Sequence, residues 1–173
     1  LYGGKVYKYN PLKGDWVQFI EKDEPVTPPP VTPPATTGNR GGIAISGLEF
    51  AEMTLPGKAN QNYNTNSKQR YQMMADNKFS VARIPFLSGR LFNTNGTINE
   101  EYAGYIDQNI TWAKEVGMNA WIDAHDYARY RGNPLGSANY SVSEFVRQKV
   151  EIIKRFKKHT NLVGFEIDNE PHD

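Results

Sequence analysis

The sequence predicts an α/β fold of the (β/α)8 TIM-barrel type, of which the chain supplies about the first four strands and three helices. Three observations carry this expectation. From Gly42 onward, short apolar runs alternate with helix-like patterns, the signature of a parallel sheet covered by helices. The runs are apolar nearly throughout, as strands buried on both faces are. Residues 39–173 hold only four such strands, whereas a complete eight-fold barrel typically needs ~250 residues. A small doubly wound sheet is the competing architecture. It would place a glycine-rich phosphate loop after its first strand. Here Gly41 and Gly42 precede that strand and Glu49, Phe50, Ala51 and Glu52 follow it, so the barrel ranks higher.

The first 24 residues have a different character. Val6–Tyr9 and Trp16–Phe19 suggest two strands joined by a turn through Pro11, Lys13, Gly14 and Asp15. One hairpin of that size is not stable by itself in water, so this segment is expected to be the remnant of an upstream module. Residues 25–38 follow, with Pro25, Pro28, Pro29, Pro30, Pro33 and Pro34 among Thr and Val. Prolines at this density lack backbone donors and favour extended polyproline II, which makes a semi-rigid spacer. Residues 39–173 form the third region.

Within it, Ile43–Leu48 reads as the first strand and residues 67–77 as a helix with Tyr71, Met74 and Ala75 on one face. Phe79–Phe86 is the second strand. Asn99 is placed to cap a helix running to Val116, with Glu100 and Glu101 in its first turn and Gly117 as its stop. Met118–Ala124 is the third strand. Ser141 and Glu144 form a capping-box pair ahead of Val142, Phe145, Val146, Val150, Ile153 and Phe156, which recur at helical spacing. Leu162–Ile167 is the fourth strand.

Bulk properties exclude several classes. The net charge of +1 offers no electrostatic footing for nucleic acid or an anionic membrane. No run of 18 apolar residues exists, so no transmembrane helix is expected. Cysteine is absent, which removes disulfide and thiol chemistry. The chain starts at Leu1 with no signal-like segment and reads as cut at both ends.

Chemistry on such a barrel belongs where strands end. The first strand leads to Glu49, the second carries Arg83, the third runs into Asp123, His125 and Asp126, and the fourth ends at Asn169, Glu170 and Pro171. An arginine among apolar strand residues is costly unless paired, and its guanidinium suits it to hold a carboxylate ionised. The plainer alternative is a structural ion pair with Glu49 or Glu166. His125 has the chemistry of an acid, a base, a hydrogen-bond donor or a metal ligand. A metal would recruit Asp123, Asp126 and His172, but the spacing matches no metal motif, and no metal or cofactor is expected. His159 reads as a solvated residue at a helix end.

Three segments together carry a family resemblance: Ser80–Phe86, Asp123–Tyr130 and Gly164–Pro171. In order and spacing they resemble successive motifs of glycoside hydrolase family 5, the cellulase family, and Ala124–Tyr130 is most similar to the endo-β-1,4-glucanases of that family. The resemblance implies a secreted retaining hydrolase of β-1,4-glucan that needs no cofactor and is monomeric when full-length. It implies Glu170 as general acid/base, Asn169 against the sugar 2-hydroxyl, Arg83 supporting the nucleophile, and His125 lining the same subsite. It places the nucleophile on a seventh strand and an aromatic platform on an eighth, so the chain alone is expected to be inactive and to self-associate. Asp126 departs from the asparagine expected there, and Asp168 from an apolar residue. Asp168 is expected to raise the pKa of Glu170 by like-charge repulsion. The alternative from another class is a non-catalytic glycan-binding or structural half-barrel.

Overall fold

The computed structural model describes residues 41–171 together with two short N-terminal strands, β1 (Tyr7–Asn10) and β2 (Asp15–Gln18). The chain divides into two units, Leu1–Gly38 and Asn39–Asp173. In the first, β1 and β2 pair antiparallel with Tyr7 opposite Gln18, within a residue of the expected hairpin. The turn between them and the proline-rich spacer lie outside the described residues.

The second unit is built on four parallel strands: β3 (Gly41–Ala44), β4 (Phe79–Phe86), β5 (Asn119–Ala124) and, after a small hairpin of β6 (Arg129–Tyr130) and β7 (Asn133–Pro134), β8 (Leu162–Glu166). They lie in the order β3-β4-β5-β8, so each helical crossover adds the next strand on the same side. This succession is how a (β/α) barrel is wound. The crossovers hold α1 (Lys68–Asp76), α2 (Ser88–Leu91), α3 (Glu100–Glu115) and α4 (Val142–Phe156). No helix among the described residues is long and apolar enough to cross a membrane.

Local chemistry explains the helix ends. Asn99 Oδ1 accepts from the Tyr102 amide at 3.3 Å and Ser141 Oγ from the Glu144 amide at 3.2 Å, each satisfying a donor that has no intrahelical partner. Only half of the capping box forms, because Glu144 turns its carboxylate to Arg147 and Gln148. Gly117 closes α3 with φ +78°, a conformation that costs a glycine little.

The period of two in the strands sorts their side chains. Ala82, Ile84 and Phe86 of β4 and Ala120, Ile122 and Ala124 of β5 are buried in one core with Tyr102, Ile106 and Ile110 of α3 and Tyr71 of α1. The opposite face carries Arg83, Trp121, Asp123, Gly164 and Glu166, with Arg83 beside Trp121 and Trp121 beside Gly164 in register. A Cβ at Gly164 would collide with the Trp121 ring, so glycine is what lets the indole lie over β8.

Two expectations are corrected. The first strand ends at Ala44, not Leu48, although Ile45 N still donates to Arg83 O at 2.8 Å. Glu49 therefore sits in the turn beyond the strand, where its Oε2 accepts from Gly47 N at 2.7 Å. The apolar stripe of α4 is mostly outside the core: Phe156 is buried, but Val142, Val146, Val150 and Ile153 are exposed. The helix buries Ile152, Gln148 and Lys149 instead, because Tyr140 and Asp126 offer the two polar groups partners. His159 is not simply solvated: it meets Asp107 at 2.7 Å and joins Arg155 and Lys158 in tying that carboxylate of α3 to α4.

Candidate active site

The polar cluster forms where the parallel ladder runs past its last strand residues. His125 N donates to Phe86 O at 2.8 Å, and Asn169 N donates to Ala124 O at 3.0 Å. These bonds lie one residue beyond the end of β5 and three beyond the end of β8, and they fix His125 and Asn169 on the sheet rather than on free loops.

Arg83 reaches up from the middle of β4 and joins the other strands. Its Nε donates to Glu166 Oε2 at 2.8 Å, and its Nη2 lies 2.7 Å from Asn169 Oδ1 and 2.9 Å from Asp123 Oδ2. Of the two ion-pair partners that the sequence left open, Glu166 is the direct one, and fully buried Asp123 is the second. The arginine thus offsets the cost of desolvating Asp123.

Asp123 Oδ2 also lies 2.7 Å from His125 Nδ1. Nδ1 is then the protonated nitrogen of the neutral ring, and Nε2 accepts from Tyr127 Oη at 3.0 Å. Because Asn169 Oδ1 accepts from Arg83, its Nδ2 faces His125 Nε2, at 3.4 Å. The chain Glu166–Arg83–Asn169–His125–Tyr127 is therefore continuous, with Asp123 beneath it. Glu170 follows Asn169, is exposed, and has a left-handed φ of +41°. Arg83, His125, Asn169 and Glu170, the four residues singled out from sequence, are thus gathered at the carboxyl ends of β4, β5 and β8.

Burial works to lower the His125 pKa, but the hydrogen bond and charge of Asp123 outweigh it. With Glu49 adding and Arg83 opposing, the pKa is raised above the ordinary 6.5. Asp123→Asn is expected to bring it down, read from the His125 ring proton by NMR titration. A raised pKa stabilises the fold fully below the unfolded value of 6.5, and this is lost as pH rises through the folded value. The variant should thus lose most stability at acidic pH; an unchanged His125 titration would exclude the linkage.

Other participants gave little sign in the sequence. Beneath the cluster, Asp126 is bonded to Ser88 N at 2.8 Å, to Ser88 Oγ, and to Lys149 Nζ at 3.0 Å, all buried. Its place after the third strand and its departure from asparagine were the clues to it. Arg90 of α2 is almost fully buried and meets no acid among the described residues. It donates to the carbonyls of Leu48, Phe50, Ala51, Thr54 and Pro56 and lies 4.6 Å over the Tyr63 ring. It thereby shapes the loop after β3, whose Met53 and Leu55 line a cavity of about 240 Å³ with His125, Tyr127 and Arg131. Among the described residues no group of three or more acids and histidines is arranged to hold a metal ion.

Parallel strands wound in sequence, with charged and amide side chains at their carboxyl ends, define part of a (β/α) barrel bearing a site at the usual face. The chain belongs to the cellulase family, glycosyl hydrolase family 5, whose family model matches residues 43–173. The probable endo-beta-1,4-glucanase B of Neosartorya fischeri is 28% identical over 134 residues, 76% of this chain and 39% of the relative. The crystal structure of Pseudomonas stutzeri endoglucanase Cel5A matches with a TM-score of 0.73 and 29% identity, over 76% of this chain and 42% of that one. Another structure of that protein is a complex with cellobiose. The endo-beta-1,4-glucanase Xac0029 of Xanthomonas axonopodis pv. citri matches with a TM-score of 0.72 and 28% identity, over 76% and 42% of the two chains. The chain spans about two fifths of the length of the relatives it matches.

Proposed function

We propose that this chain carries the acid/base side of the active site of a secreted, retaining endo-β-1,4-glucanase. The observation that carries the reading is the convergence of Arg83, His125 and Asn169, already hydrogen-bonded to one another, next to Glu170. Glu170 donates the proton to the departing glycosidic oxygen and then takes one from the incoming water, as a retaining mechanism requires. Asn169, its oxygen occupied by Arg83, has an amide hydrogen available for the sugar 2-hydroxyl, a contact that strengthens as oxocarbenium character develops. His125, oriented by Asp123, lines the same subsite. Arg83, ion-paired with Glu166 and Asp123 and bonded to Asn169, supports the nucleophile from beneath the site. The nucleophile is assigned to none of these residues, so the 173 residues alone are expected to bind β-1,4-glucan without cleaving it.

The test is a titration of cellotetraose into the isotope-labelled chain. Signals of Arg83, His125 and Asn169 should shift together, and His125→Ala or Asn169→Ala should each weaken binding by about 1 kcal/mol, roughly fivefold. Shifts that leave His125 and Asn169 unmoved, or none, would overturn the reading.

A further inference from the structure

Tyr127 and Ala128 follow His125 with φ of +54° and +55°, two successive left-handed residues that are not glycine. Side chains disfavour this conformation, and it persists only where the surroundings impose it. Two carboxylates bracket the turn. Before it, Asp126 is anchored to Ser88 and Lys149. After it, the Ala128 amide donates to Asp168 Oδ2 at 2.7 Å. Asp168 immediately precedes Asn169 and Glu170, so this bond joins the tip of β8 to the turn that carries Tyr127. The Tyr127 hydroxyl is in turn 3.0 Å from His125 Nε2.

We propose that Asp168 is a positioning residue of this site: its carboxylate holds the Tyr127–Ala128 turn in the left-handed form that presents the Tyr127 hydroxyl to His125. The proposal rests on the glucanase reading only for the ligand that the site takes.

The surroundings keep Asp168 at a cost, as functional sites do. Its Oδ1 is buried with no hydrogen-bond partner. Burial pushes its pKa up, to about 6, against the attraction of Lys149 from α4 and with added repulsion from Asp126. Tyr140, from the loop before α4, also faces both acids. The bond to Ala128 is charge-assisted when Asp168 is ionised and weaker when it is neutral. Asp168 itself thus resists ionisation, and its charge governs the turn.

The test follows the Ala128 amide and the Tyr127 ring by NMR from about pH 4.5 to 8 in the full 173-residue chain. Both should inflect near pH 6, apart from the His125 titration above 6.5. Asp168→Asn keeps an acceptor without the charge, so it should remove the inflection yet leave the Ala128 amide protected. Asp168→Leu should speed Ala128 exchange on the order of tenfold and move the Tyr127 and His125 signals. A wild type without the inflection, or an Asn variant that retains it, overturns the proposal even if the Leu variant does not fold. Failure of cellotetraose to bind the wild type would remove the glucan reading instead, leaving the amide titration to decide the role of Asp168.

Discussion

Glu170→Gln, made in a polypeptide that carries residues 39–173 inside a closed eight-stranded barrel, is expected to lower turnover of carboxymethyl cellulose by about 10²–10⁴-fold. Glutamine matches glutamate in shape and can still hydrogen-bond a sugar, so cellotetraose affinity should hardly change. What is lost is the proton delivered to the glycosidic oxygen as the bond breaks. That gives the prediction a further edge. A dinitrophenyl cellobioside departs as a stable anion without protonation, so its first step should be nearly spared. The kcat/KM values on the two substrates, which report formation of the glycosyl-enzyme and not its base-assisted hydrolysis, check the assignment. An equal loss on both would show that Glu170 supports the site in some way other than as an acid. Its place beside Asn169, which the Ala124 carbonyl and Arg83 hold on both sides, is why the carboxylate is expected to be well oriented for that proton transfer.

Arg90→Met is expected to cost the chain about 3 kcal/mol or more of stability, the largest single loss among these substitutions. The guanidinium gathers five backbone carbonyls of residues 48–56, at distances from 2.6 to 3.3 Å. Hydrogen bonds to a charged donor are worth about 1.5–3 kcal/mol each, though not additively, and a methionine leaves the buried Leu48 carbonyl and four partly buried ones without that donor. Arg90→Lys should recover little, because three donors on one nitrogen cannot reproduce a planar fork aimed at five oxygens. Urea unfolding at constant slope gives the loss directly. A loss under about 1 kcal/mol would mean that water replaces the guanidinium, and the loop is then not organised by it. Because Met53 and Leu55 of that loop line the cavity beside His125, proteolytic sensitivity near residue 53 should rise along with the loss of stability.

Much of the fold was legible because its signals are local. Ser67, Asn99, Ser141 and Gly117 mark helix ends through bonds or torsions within a turn of themselves, and their positions match the helices within a residue or two. β4 spans the residues expected, since an apolar run closed by Pro85 and Phe86 needs no distant information to be recognised. The end of β3 was misplaced because its pairing with β4, not its own composition, stops after Ala44. The buried face of α4 is likewise set by its neighbours. Helical spacing shows which residues share a stripe, but only the packed neighbours decide which stripe goes inward. Asp126 and Tyr140 drew Lys149 and Gln148 in, against their hydropathy.

The sequence by itself determined the order of the parallel strands, the family, Arg83 within the second strand, and His125, Asn169 and Glu170 beyond strand ends, because strand periodicity, motif spacing and chain order suffice for each. The tertiary structure decided which groups meet. Arg83 pairs with Glu166 and Asp123 rather than Glu49, since the register of β4, β5 and β8 brings those two acids onto its face while β3 stops short of Glu49. Arg90 joins carbonyls about 40 residues earlier in the chain, and Asp168 joins an amide 40 residues earlier. Such contacts leave no mark in local composition, because the energy of a buried hydrogen bond depends on where the folded backbone delivers its partner.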